Sequence, residues 1–193
     1  IGPSDDKLLN IDELSIPGKH NLQNFLAAST CSHLMGISQN QIVKSMKEFK
    51  GVEHRLEYVR TINEVKFIND SKATNIDSVI VAINTYDQPI VLILGGFNKG
   101  ANFRLLLPHI KSSHVRDIVS YGDAGGQINT ALGDAVRSVQ VTDLSSAVKK
   151  AQLMAAPGDI VLLSPGCASY DEFSNFEERG NHFKSIIKNI AIS

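Results

Sequence analysis

The chain has 193 residues, 42% of them hydrophobic and 20% charged, with a formal net charge of −1, the balance of a globular α/β chain that buries a core. That charge gives no polybasic field for nucleic acid or an anionic membrane, and no apolar run approaches the roughly 18 residues that span a bilayer. Cys31 and Cys167 lie far apart and outside any CxxC, so they imply no disulfide framework and fit a reducing cytoplasm; the six histidines are scattered without metal-site spacing.

The opening Ile1-Gly2-Pro3-Ser4-Asp5-Asp6 has neither an initiator methionine nor a basic signal region, and it reads as the start of a processed or excised chain. Residues 8–16 alternate loosely up to Pro17-Gly18 and read as the last strand of an earlier structure. A helix is expected over 20–34, with Leu22, Phe25, Leu26 and Ser29 on one stripe. A second runs through Phe49, opened by Ser38 with Gln41 three residues on, a capping box. Two helices without a sheet cannot bury both faces, so this segment is expected to dock on structure outside it. The stretch from Lys50 to Arg55 reads as a linker, dividing the chain into residues 1–50 and 51–193.

Beyond the linker the pattern changes. Short strands over 56–61 and 65–69 flank Ile62-Asn63-Glu64, a hairpin signal. A helix is expected over 75–85, and 90–94 is a continuous apolar run ending in Gly95-Gly96, as in a buried parallel strand. Helix 103–110, strand 115–121, helix 124–132, strand 137–141, helix 144–155, strand 159–163 and helix 173–190 follow. This alternation predicts a Rossmann-like α/β fold, a mostly parallel sheet with helices on both faces. The site is then expected beyond the carboxyl ends of the strands.

Three polar loops follow strand ends. In 69–75, Asp70 suits ribose hydroxyls, Lys72 suits phosphate and Thr74 stands at a helix start that favours anions; an N-cap formed by Thr74 or Asn75 is the plainer reading. In 95–103, paired glycines allow close backbone approach and Lys99 offers a flexible cation. The order Gly-x4-Gly-Lys-Ser/Thr of a phosphate loop is missing there. In 164–173, small residues before a helix make a nest of N–H groups suited to a carboxylate. Cys167 in that loop reads as a small buried residue, since no activating histidine is near it in sequence. Asn21 and Asn24 share a helix face, where two amides can read a base edge, and His54-Arg55 offers a fork to phosphate.

In order along the chain, Pro17-Gly18-Lys19-His20-Asn21 to Asn24, His54-Arg55, Asn69-Asp70-Ser71-Lys72-Ala73-Thr74-Asn75, Gly95-Gly96 with Lys99-Gly100, and Ser164-Pro165 through Phe173 to Arg179-Gly180 resemble the amide-forming Mur ligase family. The Asn69–Asn75 and Ser164–Gly180 stretches are most similar to its D-glutamate-adding branch. The resemblance implies an ATP- and Mg²⁺-dependent enzyme of peptidoglycan precursor synthesis, cytoplasmic and monomeric at full length. Its small-molecule substrates are expected to be UDP-N-acetylmuramoyl-L-alanine, D-glutamate and ATP, joined through an acyl phosphate. It assigns Asn21, Asn24, His54, Arg55, Asp70 and Lys72 to the nucleotide, and Thr74, Lys99, Ser169 and the Phe176 backbone to D-glutamate. The family's phosphate loop, Mg²⁺ ligands and uridine-nucleotide domain are expected upstream, with residues 1–50 the end of a central ATP-binding domain, so this polypeptide alone is expected to make no product. Competing readings are another Mur or folylpolyglutamate-type ligase and a stand-alone Rossmann-like nucleotide-binding module. Against the module, no GxGxxG follows a strand.

Overall fold

The computed structural model describes residues 8–14, 16 and 19–191, the side chains of Lys19 and His20 excepted. The expected Pro17-Gly18 break and the His20 side chain lie outside the described residues. The chain divides into two compact units, Ile1–Gly51 and Val52–Ser193.

In the first unit, α1 (Lys19–Leu34) and α2 (Gln39–Glu48) meet through Phe25, Ile42 and Met46, with Leu9, Leu14 and Ile16 packed against them. The expected capping box opens α2: the Ser38 N–H donates to the Gln41 side-chain oxygen at 3.3 Å. Among the described residues of 8–16 the expected strand is absent. Ile11–Glu13 forms a 3₁₀ turn instead. The cause is local: the Glu13 carboxylate accepts the Asn10 N–H at 2.9 Å, and a short-range cap of this kind draws the backbone out of extended pairing.

The second unit is a six-stranded sheet in the order β1-β2-β6-β3-β4-β5. Its strands are β1 (Glu57–Ile62), β2 (Val65–Asn69), β3 (Ile90–Gly95), β4 (Val115–Tyr121), β5 (Arg137–Gln140) and β6 (Ile160–Gly166). Among the described strands only the β1–β2 pair is antiparallel. Its register sets Ile62 opposite Val65, leaving the two-residue turn Asn63-Glu64 with φ of 48° and 63°. Positive φ at both positions makes this the mirror-image turn whose twist matches that of the strands.

The alternation of side chains across β3 divides the core. Ile90, Leu92 and Leu94 join Ile68, Ile118 and Leu162 beneath α3 (Ile76–Ile83), α4 (Leu107–Ser112, after a 3₁₀ turn at Phe103–Leu106) and α5 (Gly125–Leu132). Val91 and Ile93 join Phe67, Val119 and Leu163 beneath α6 (Leu144–Met154) and α7 (Phe176–Lys188). With helices on both faces, β3 is apolar throughout and fully buried from Ile90 to Leu94. The last helix begins at Phe176 rather than 173 because Asn175 caps it, its side chain accepting the Glu178 N–H at 2.7 Å.

Candidate active site

Adjacent strands β3 and β6 lead to helices on opposite faces of the sheet: β3 runs on to α4, and β6 to α7. Loops that part in this way open a crevice at the carboxyl end of a parallel sheet. Three loops meet there, after β2, β3 and β6, and the backbone ties them together. Phe97 and Ala168 exchange hydrogen bonds at 2.9 and 3.1 Å, and the Gly166 N–H donates to the Ala73 carbonyl at 2.9 Å. Gly96 sits at φ +116°, and a Cβ there would lie 2.4 Å from the Ala168 oxygen, so only glycine permits this approach.

The side chain of Arg179 completes the join. It projects from the first turn of α7 and is fully buried. Its Nε donates to Ser71 Oγ at 2.9 Å and Nη2 to the Ser71 carbonyl at 2.8 Å, while Nη1 reaches the carbonyls of Cys167 and Ala168 at 3.0 and 3.1 Å. Ser71 Oγ donates onward to the Phe176 carbonyl at 2.8 Å. One guanidinium thus satisfies acceptors on two loops, a task for which its planar fork of donors is suited. The sequence reading placed Arg179 in a motif but gave it no role, because charged residues are normally exposed. A signal was present: Phe176, Arg179, Gly180, Phe183 and Ile187 recur at helical spacing, so the stripe that buries Phe183 buries Arg179 as well.

A second network holds the segment before β1. His54 is buried at φ 63°. Its Nδ1 lies 3.0 Å from Asn69 Nδ2, which also donates to Glu57 at 2.9 Å, so the bonding assigns Nδ1 as acceptor and the proton to Nε2. Burial, and then the Lys184 ammonium, hold the His54 pKa below its ordinary value, which keeps the ring neutral. Gly180 lets α7 pass against that ring: a Cβ would lie 2.2 Å from Nδ1. Asp70 is also turned inward. Its oxygens accept from the Leu56 N–H at 3.1 Å and the Ser164 hydroxyl at 2.8 Å, and burial pushes its pKa up to about 7.

The residues expected to meet ligands therefore fall into two sets. Arg55, Lys72, Thr74 and Lys99 are exposed, and Phe176 is half-buried at the start of α7. The Phe176 N–H is one of the first-turn donors that a helix leaves without an internal acceptor. Asn75 takes the cap of α3, accepting the Ser78 N–H at 2.9 Å, and this leaves Thr74 as the exposed hydroxyl of its loop. Asn98 shapes the loop that presents Lys99: its side-chain oxygen accepts the N–H groups of Gly100 and Ala101 at 2.9 and 2.7 Å. By contrast, His54, Asp70 and Ser169 are buried and line or brace the crevice from within. Asn21 and Asn24 lie on α1 of the first unit, half-buried and exposed respectively. Cys167 is buried and its thiol is pushed up to about 12 by desolvation, so it is inert at neutral pH. Among the described residues no cluster of three or more histidine, cysteine, aspartate or glutamate side chains is arranged to hold a metal ion, and no helix is long and apolar enough to cross a membrane.

Comparison with known proteins gives concordant results. Residues 54–167 match the family model described as Mur ligase, glutamate ligase domain. The chain is 45% identical over 180 residues to a UDP-N-acetylmuramoylalanine–D-glutamate ligase of Bacillus mycoides, covering 92% of this chain and 40% of that protein. It is 44% identical over 190 residues to the protein of the same name from Clostridioides difficile, covering 96% and 42%. The chain thus spans about 40% of the length of these curated relatives. Among solved structures it resembles the UDP-N-acetylmuramate–alanine ligase MurC of Thermotoga maritima, at a TM-score of 0.67 and 17% identity over 91% of this chain and 39% of that one. It also resembles MurF of Acinetobacter baumannii, at 0.63 and 17% over 91% and 38%. At these identities the structural matches bear on the fold alone.

Proposed function

The chain belongs to the Mur ligase family, and from that premise we propose that it is the amino-acid-binding part of an ATP-dependent, cytoplasmic ligase that adds D-glutamate to UDP-N-acetylmuramoyl-L-alanine in peptidoglycan precursor synthesis. The observation that carries the reading is the convergence of Lys99, Thr74, Ser169 and the first turn of α7 on loops fastened to one another at the crevice. A dicarboxylic amino acid needs cations and oriented N–H and O–H donors on one side, with its amine left free.

In the proposed reaction ATP supplies the phosphoryl group that turns the muramoyl-alanine carboxylate into an acyl phosphate. The amine nitrogen of D-glutamate then bonds to the acyl carbon, phosphate leaves with the C–O bond pair, and the proton lost by the nitrogen goes to the departing phosphate or solvent. This chain's residues hold the attacking partner. Lys99 and Thr74 face its carboxylates, with Ser169 and the Phe176 N–H completing the donor set. Arg55 and Lys72 supply positive charge toward the nucleotide phosphates, and Asp70, through its remaining lone pairs, the ribose. His54 braces the Arg55 segment, and Asn21 and Asn24 are proposed to read adenine. No group of metal-binding side chains occurs among the described residues, and none of these roles passes through Mg²⁺. No phosphate-loop motif occurs in the 193 residues, so this polypeptide by itself is expected to release no product.

The test is phosphate release by the full-length enzyme with ATP, UDP-N-acetylmuramoyl-L-alanine and a panel of amino acids. Turnover with D-glutamate and not with L-glutamate, L-alanine or meso-diaminopimelate is expected. Turnover with another member of the panel in preference to D-glutamate would refute the reading.

A further inference from the structure

We infer that Tyr170 is a positioning residue for Lys99, ordering its ammonium for a substrate carboxylate without neutralising it; the inference rests on the D-glutamate reading of the site. Lys99 Nζ stands 4.7 Å from the centre of the Tyr170 ring. The same arrangement occurs a second time nearby, with Lys72 Nζ 4.8 Å from the centre of the Phe176 ring. Tyr170 lies between β6 and α7 and Phe176 is the first residue of α7, whereas the two lysines come from the other two loops. Among the described residues neither lysine forms an ion pair with a carboxylate.

The physical distinction lies in what each kind of partner leaves behind. A carboxylate partner would fix the ammonium and cancel its charge, and an incoming anion would have to displace it. An aromatic face attracts the cation through its quadrupole and takes up none of that charge. The long stem of lysine is then partly ordered before the ligand arrives, and the N–H donors directed away from the ring remain available. Tyr170 itself is 61% exposed, so core packing does not account for an aromatic residue there. It directly follows Ser169, a residue proposed for the same substrate.

The experiment is steady-state kinetics on the full-length enzyme with Tyr170→Leu, Tyr170→Phe and Lys99→Ala, singly and with Lys99→Ala and Tyr170→Leu combined. Tyr170→Leu is expected to raise KM for D-glutamate about two- to fivefold, the scale of an exposed cation–π contact. KM for ATP and kcat should stay unchanged. Tyr170→Phe should behave as wild type, and Tyr170→Leu should add nothing once Lys99 is alanine. The inference is overturned if Tyr170→Leu leaves KM for D-glutamate unaltered or lowers it, if the phenylalanine variant is as impaired as leucine, or if the effect persists without Lys99. Wild-type enzyme that shows no D-glutamate-dependent phosphate release would instead refute the functional reading, and the inference with it, so the two failures are distinguishable.

Discussion

At the scale of single residues, the crevice is held by buried polar groups that bond across its loops. Arg179 is the clearest case, since its bonds to Ser71, Cys167 and Ala168 carry the relation between two loops. Arg179→Ala should lower stability by about 3 kcal/mol or more in urea denaturation, because several buried acceptors lose their donor at once. Arg179→Lys should recover little of this, since an ammonium cannot reproduce the fork. Asp70 yields a prediction about pH. Its folded pKa of about 7 lies above the ordinary 3.8, so the folded state binds its proton more tightly. Its contribution is full below about pH 4 and is lost as pH rises through 7. His54 works in the opposite sense: its depressed pKa gives stability that is present above pH 6.5 and lost as pH falls. Asp70→Asn should therefore gain stability relative to wild type as pH is raised from 4 to 7, measured as the difference in denaturation midpoints. A constant difference across that range would contradict this.

At the scale of elements, the β1–β2 turn illustrates how local chemistry and packing compete. Asn63 tolerates the left-handed region, but Glu64 at φ 63° does not do so readily. Glu64→Gly should raise stability by about 0.5–1 kcal/mol, read as a higher melting temperature with unchanged activity of the full-length enzyme. The rest of this unit was legible because its strands and helices have distinct periods: the fully apolar 90–94 stretch reads as a strand buried on both faces, and it is one. The strand expected over 8–16 was not, because a loose alternation looks the same in a strand and in a capped turn. The bonds between Asn10 and Glu13, and from the Leu14 N–H to the Ile11 carbonyl, distinguish them. The candidate site was legible as loops and not as geometry. Sequence could nominate Lys99 and Ser169 by the chemistry of their loops. It could not show that His54 and Asp70 turn inward, since that depends on Asn69, Ser164 and Gly180 meeting them from distant positions.

At the scale of the second unit, the two ends of the sheet are built differently: salt bridges fasten the amino end, and the candidate site loops sit at the carboxyl end. Near the amino ends of β4 and β6, buried Asp117 pairs with Arg116 and Arg137 at 2.8 and 2.6 Å, and Arg116 pairs with Asp159 at 2.7 Å. The carboxyl ends carry the loops with Thr74, Lys99 and Ser169, braced by Arg179. Such a layout places the loops where ligands bind in folds of this class, beyond the carboxyl ends of parallel strands. The central claim, that these loops bind D-glutamate and do so through Lys99, is tested most directly by the kinetics of Lys99→Ala in the full-length enzyme. Loss of one charge-assisted bond should raise KM for D-glutamate by about ten- to a hundredfold, with KM for ATP changed less than about twofold. An unchanged KM for D-glutamate, or a rise confined to ATP, would contradict the account.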